Sequence, residues 1–319
     1  MPPAGWVHTR IVATGTGMRR GGLTMVAGWF SFDDAEVTGG DLLAARTAER
    51  WLRDAGVDHR VAMAANFRRA TDVAWAELDP GTVSHLVFVC GPLAGGPVEA
   101  LFDRFAAATR VAAGVSVVDG TARLAPVELV ARDGPGVARA DLALGGSLRA
   151  APVAGVVRSH DQPEYGDRQE HAAVHRHLDR LLLDADVAPV PLDTRLHPGE
   201  PHLCATPDQL VAAMARCDVI VTTRLHGLVL GLRAGVPVLA VDPVRGGAKV
   251  TAQARALEWP AVVGADQAGS PALDEALAWC LTPEATGRVT RSIAAGMRSL
   301  SDSSDRLLAA LRPSLGGEW

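Results

Sequence analysis

Residues Cys217–Lys249 read C-D-V-I-V-T-T-R-L-H-G-L-V-L-G-L-R-A-G-V-P-V-L-A-V-D-P-V-R-G-G-A-K. Asp218–Thr222 is apolar apart from its ends, as expected of a central parallel strand covered on both faces. Leu225–Ala234 carries apolar residues at helical spacing, and Val236–Val241 returns to a strand. This strand, helix, strand order is one βαβ unit, and open α/β sheets gather ligands beyond the carboxyl ends of their strands. Arg224 and His226 stand at that end, where unpaired N–H groups and the positive dipole end of the next helix favour an anion. Thr222 or Thr223 reads as the N-cap. Lys249, in the loop after the following strand, reads as reaching the same place. A guanidinium grips a carboxylate or phosphate with two parallel hydrogen bonds, and an imidazole gives or takes a proton near neutrality. Arg224 and His226, with Thr223, Gly227 and Lys249 around them, are therefore the candidate site.

The same alternation extends outward in both directions. Before it lie a strand Val153–Arg158 (V-A-G-V-V-R), a helix from about Asp167 to Leu183, a short V-A-P-V-P-L strand and a helix Pro207–Arg216. After it, Leu273–Leu281 and Asp302–Leu311 read as closing helices. A separate series begins at Leu23 with L-T-M-V-A-G-W-F, followed by a helix ending at Gly56 and strands at Val57–Ala64, His85–Cys90, Val111–Val118 and Val127–Ala131. The loop-like G-G-S-L-R-A-A-P between the two series places a boundary near residue 150. The expected fold is α/β, with two Rossmann-like domains, 1–150 and 151–319, each built on a parallel sheet. A glycine-rich stretch, G-T-G-M-R-R-G at Gly15–Gly21, is a weak phosphate-loop signal.

Composition narrows the function classes. A length of 319 residues suits two domains, and a net charge of −5 with interspersed signs gives no basic surface for nucleic acid or an anionic membrane. The cysteines Cys90, Cys204, Cys217 and Cys280 lie far apart, which suits a reducing cytoplasm rather than a disulfide framework. No apolar run approaches the ~20 residues of a membrane span, and the first residues lack a signal-peptide order. Lys249 is the only lysine beside thirty arginines, and Tyr165 is the only tyrosine. A GC-rich coding bias explains scarce lysine by itself, so the place of Lys249 is more informative than its rarity.

R-L-H-G after an apolar strand, then A-G-V-P-V-L-A and a lysine further on, resembles the polysaccharide pyruvyl transferases. That resemblance implies a GT-B-like arrangement of two Rossmann-like domains facing across a cleft, and transfer of the enolpyruvyl group of phosphoenolpyruvate to sugar hydroxyls, commonly as a cyclic ketal. It implies phosphoenolpyruvate as co-substrate, no other cofactor and no metal, with the donor held by the second domain and a sugar or sugar-like acceptor by the first. Arg224 and His226 match the family's Arg-x-His pair, Lys249 its phosphate-side lysine, and Arg158 the arginine closing the first strand of the second domain. Asp41 in T-G-G-D resembles the family's N-terminal Gly-Asp turn, and E-L-V-A-R-D its Arg-Asp segment. The turn lacks the usual Asn and the loop before Lys249 has Arg245-Gly-Gly in place of an aromatic residue, which leaves the acceptor open.

Adding an alcohol to an enol ether requires a positioned acid, and His226 is the candidate, with Arg224, Lys249 and Arg158 holding the carboxylate and phosphate. Two other readings compete. One is a GT-B glycosyltransferase using a nucleotide sugar, against which Leu228, Val229 and Leu230 stand where an acidic residue usually meets the ribose. The other is a non-catalytic binding or scaffold protein. His171 and His175 share a helix face at the i, i+4 spacing of a metal pair, but without the Glu of H-E-x-x-H they read, with His177, as a solvated face. Asp33, Asp34 and Glu36 read as an acidic loop, and Cys90 as a buried structural thiol.

Overall fold

The computed structural model describes residues 22–315, apart from 125 and 127. The glycine-rich stretch at Gly15–Gly21 lies outside them. After Arg149 the chain divides into two compact units. The first contains β1 (Leu23–Ala27), α1 (Gly39–Asp54), β2 (His59–Val61), β3 (Val83–Val89), α2 (Gly96–Arg104), β4 (Thr109–Ser116), α3 (Thr121–Leu124), β5 (Glu128–Gly134) and β6 (Val137–Ala138). They form a six-stranded sheet in the order β2-β1-β3-β4-β5-β6, parallel except for the β5/β6 edge pair. Met25, Phe30, Leu86, Phe88, Leu101 and Phe102 are buried on its faces, so Met25 and Phe30 belong to the core.

The second unit contains β7 (Val153–Val157), α4 (His171–Asp184), β8 (Ala188–Leu192), α5 (Pro207–Met214), β9 (Val219–Thr222), α6 (Leu225–Arg233), β10 (Val238–Asp242), α7 (Lys249–Ala256), β11 (Val262–Gly264), α8 (Ala272–Cys280) and α9 (Pro283–Leu315). Its sheet is parallel throughout, in the order β11-β10-β9-β7-β8. β9 is the middle strand and every residue of it is buried, which is why its sequence is apolar without alternation. Pro189 and Pro191 cannot donate to a ladder, and they lie in β8, an edge strand paired only with β7. Gly231 lets α6 lie close on the sheet: a Cβ there would sit 2.7 Å from Val238 Cγ2 and 3.1 Å from Ile220 Cγ1.

The α/β class with two mostly parallel sheets is borne out. Two elements differ from the expectation. Lys249 opens helix α7 instead of lying in a loop, and the closing helix expected to start at Asp302 begins as early as Pro283, as α9, while the one expected over Leu273–Leu281 stands apart as α8. The helix α7 escapes a sequence reading because its N-cap, Ala248, has no side-chain acceptor. The fully buried Asp242 supplies one from six residues upstream, its Oδ2 accepting from the N–H groups of Ala248 at 2.7 Å and Thr251 at 2.8 Å and from Thr251 Oγ1 at 2.8 Å.

Candidate active site

The candidate residues of the second unit gather along the carboxyl edge of its sheet. Thr222 ends β9, and its Oγ1 accepts from the Arg224 N–H at 2.9 Å. Arg224 itself is the N-cap of α6, without a side-chain cap bond, so neither threonine is the cap expected from the sequence. The helix starts only at Leu225, too late for either threonine to cap it, and Thr223 turns inward instead. Its buried Oγ1 accepts from the Ser159 N–H at 2.8 Å and lies 3.0 Å from Ser159 Oγ and 3.3 Å from His175 Nε2. The start of α6 is thereby anchored to the end of β7. His226, in the first turn of α6, is exposed and has no side-chain partner among the described residues.

Each candidate cation already faces a carboxylate. Arg224 Nη1 donates to Asp193 Oδ1 at 3.0 Å, beyond the end of β8. Burial pushes the Asp193 carboxyl up, but Arg195 and Arg224 outweigh it and hold Asp193 below the usual carboxylate range. Arg158, directly after β7, pairs with Asp179 of α4 at 2.6 Å. Lys249 Nζ lies 4.0 Å from Glu164 Oε1 and 6.0 Å from the ring centroid of Tyr165, over which Arg168 also stands at 5.7 Å. Partly exposed pairs of this kind contribute only about 0–1 kcal/mol each. An incoming phosphate or carboxylate offering bidentate contacts competes with them easily. Among the described residues no side-chain hydrogen bond or ion pair joins Arg224, His226 and Lys249.

The segments after β7 and β10 are laced together. Gln169 and Val244 form an antiparallel bridge, the Glu170 N–H donates to Pro243 O at 2.7 Å, and the Arg245 N–H donates to Arg168 O at 2.8 Å. Arg245 also pairs with Glu170 at 2.6 Å, so Arg245, which replaces the family's aromatic residue, serves as a tie between loops. A cavity of about 600 Å³ adjoins the other end of this edge, with Arg158, His160, Asp179 and Asp193 as its polar lining and Leu182, Pro191 and Leu192 among its apolar wall.

Helix α4 corrects the sequence reading most. His171 is 2% exposed, so the face it shares with His175 is no solvated surface. The apolar residues Val174, Leu178 and Leu181 define the inward stripe of α4, and His171, three residues before Val174, falls on it. That spacing was the available signal. Neither nitrogen of His171 has a hydrogen-bond partner, and its ring meets His175 edge-on at 6.3 Å. Burial is the main cause that pushes both imidazoles below the usual range, with Lys249 adding to the effect on His171 and Arg158 to that on His175. Among the described residues no group of three His, Cys, Asp or Glu is placed to hold a metal ion.

In the first unit, Asp41 completes a capping box on α1: its Oδ2 accepts from the Thr38 N–H at 3.0 Å and from Thr38 Oγ1 at 2.8 Å. That cap gives Asp41, the residue resembling the family's substrate-side Gly-Asp turn, a structural role at the start of α1. Asp33 Oδ1 accepts from the Ala65 N–H at 2.7 Å. Cys90 is buried, and burial pushes its thiol well above the usual range, which makes it an inert packing residue.

Residues 156–243 match the family model of polysaccharide pyruvyl transferase. The match begins within β7 and ends just past β10, taking in Arg158, Thr223, Arg224, His226 and Gly227 and stopping short of Lys249. Over that stretch the resemblance read from R-L-H-G is borne out. Similar solved structures include the glycotransferase of kitacinnamycin, at 14% identity over 90% of this chain and 98% of that one, with a TM-score of 0.30. Another is the spinosyn rhamnosyltransferase SpnG complexed with thymidine diphosphate, at 12% identity over 92% of this chain and 100% of that one, with a TM-score of 0.32. Among curated proteins none matches. Among the described residues no helix is long and apolar enough to cross a membrane.

Proposed function

We propose that this chain is a pyruvyl transferase-like enzyme that moves the enolpyruvyl or pyruvyl group of phosphoenolpyruvate to a hydroxyl of a sugar or sugar-like acceptor, with release of phosphate. The observation that carries the reading is the juxtaposition of R-L-H-G with the start of α6, inside the stretch matched by the family and on one sheet edge with Arg158 and Lys249. Arg224, Arg158 and Lys249 bind the trianionic donor in place of Asp193, Asp179 and Glu164. The acceptor oxygen attacks C2 of the donor while His226 delivers a proton to the C3 methylene, and the acceptor proton passes to solvent. Breaking the C2–O bond then releases phosphate. Loss of a C3 proton at that step leaves the enolpyruvyl ether, whereas attack by a second acceptor hydroxyl closes a ketal.

The test is phosphate release from phosphoenolpyruvate with a panel of sugar and non-sugar hydroxyl acceptors. We expect acceptor-dependent release that His226→Ala reduces by at least about 100-fold, the usual scale for a general acid, while donor binding persists. Full turnover in His226→Ala would remove the acid assignment. Selective binding of a nucleotide sugar, with none of phosphoenolpyruvate, would overturn the reading altogether.

A further inference from the structure

The least expected chemistry in the second unit is a buried imidazole with nothing to bond to. A buried polar group left without a partner is costly, and His171 leaves two nitrogens so. It lies edge-on to His175, whose Nε2 reaches the inward-turned Thr223 Oγ1 at the start of α6. Charged groups act on this pair from several segments: Arg158 after β7, which pairs with Asp179 one turn of α4 beyond His175, Asp161 and Glu164 in the segment after Arg158, Asp242 at the end of β10 and Lys249 of α7. Arg158 and Lys249 are the two cations among them, and both are candidate ligands of the anionic donor.

We propose that the His171–His175 pair is neutral in the free protein and takes up one proton when an anion enters beside Thr223, with His175 holding it and His171 fixing the ring of His175. The inference rests on the phosphoenolpyruvate reading of the same site. Its physical basis is the balance of fields. In the free protein burial and the neighbouring cations keep the pair uncharged. An anion that engages Arg158 and Lys249 cancels their repulsion and adds attraction of its own, so a proton from solvent binds His175 at Nε2.

Of the two imidazoles, only His175 has a hydrogen-bond partner ready for the charged form. Thr223 Oγ1 already accepts from the Ser159 N–H, which leaves one further acceptor site and one O–H to donate. With His175 neutral and Nε2 unprotonated, Thr223 donates to Nε2 and Ser159 Oγ donates to Thr223. Once Nε2 carries a proton it donates to Thr223 Oγ1, and the Thr223 hydroxyl must turn to Ser159 Oγ. Protonation thus reverses the direction of the Ser159–Thr223–His175 chain. The proton returns to solvent when the anion leaves. His175 and His171 are positioning residues in this scheme, since neither is placed on the reacting atoms.

The experiment is calorimetric titration of the full chain with phosphoenolpyruvate near pH 7.5, in two buffers of different ionisation enthalpy, which counts protons exchanged on binding. The wild type should take up protons. Because His226 must itself be protonated to act as the acid, His175→Asn is compared in the His226→Gln chain, where it should bind phosphoenolpyruvate more weakly and without the uptake. His171→Phe, which keeps an edge-on ring and removes only the unmet nitrogens, should retain the uptake, as should His226→Gln. Thr223→Val, which removes the acceptor but neither imidazole, should lose most of it and serves if His175→Asn does not fold. Binding by the wild type with no proton uptake overturns the inference while leaving the donor reading intact. Uptake that survives when His175→Asn is added to His226→Gln, or that vanishes in His226→Gln alone, also overturns it. Failure of the wild type to bind phosphoenolpyruvate at all overturns the donor reading on which the inference stands.

Discussion

Gly227 holds α6 against β9 at the point where the site begins. A Cβ at that position would lie 2.1 Å from Thr222 Oγ1 and 2.8 Å from Thr222 Cβ, closer than any side chain tolerates. Gly227→Ala must therefore push the start of α6 outward and disturb the bond from the Arg224 N–H to Thr222 Oγ1. We expect a loss of about 1–3 kcal/mol, the usual range for overpacking, read as a lower denaturant midpoint. An unchanged midpoint would show that the helix start has room to move. The position of Arg224 and His226 was legible in the sequence because an apolar strand followed by a helix fixes which residues stand at the strand's carboxyl end. Their carboxylate partners were not legible. Asp193 and Glu164 come from polar connecting segments without periodicity, and Asp179 is an ordinary exposed residue of α4 until Arg158 is placed beside it.

At the scale of single elements, α4 and α7 show what a local pattern omits. The cap of α7 comes from a strand end, so no adjacent residue announces the helix. The two histidines of α4 look like a polar face until the stripe of Val174, Leu178 and Leu181 is used to orient the helix. Their burial has a consequence for stability. Both imidazoles are held below the ordinary value of 6.5 in the folded protein, so as pH falls below about 6.5 the unfolded chain binds protons that the folded chain refuses. Stability therefore falls with falling pH across the window beneath 6.5, down to the lowered folded values, and is fully retained above it. Denaturant midpoints at pH 7.5 and 5.5 check this. The drop should be smaller in His171→Phe than in the wild type, and equal drops would mean that His171 does not contribute.

At the scale of the whole molecule, each unit has a sheet and a buried core of its own. The second unit encloses Val219, Ile220, Val221, Leu228, Leu232 and Val238–Val241 beneath helices drawn entirely from residues after Arg149. A fragment spanning 150–319 is therefore expected to fold alone, with helical circular dichroism and a cooperative thermal transition. A fragment that melts without cooperativity would contradict an independent core. This division was legible from the repeated alternation of apolar strands and helical patterns, and the interruption at G-G-S-L-R-A-A-P stood close to the observed division. The early start of α9 was not, because no strong breaker lies between Leu281 and Asp302 apart from Pro283, which a helix accepts at its first position.

Lys249 contributes the only side-chain amine in the chain, and it stands 38% exposed at the start of α7. An amine-selective acylating reagent has, apart from the backbone terminus, a single place to react, and that place is the candidate site. The protein thus carries a built-in footprint. The mass added at Lys249 reports directly whether the edge of the second sheet is open or occupied, without any engineered label.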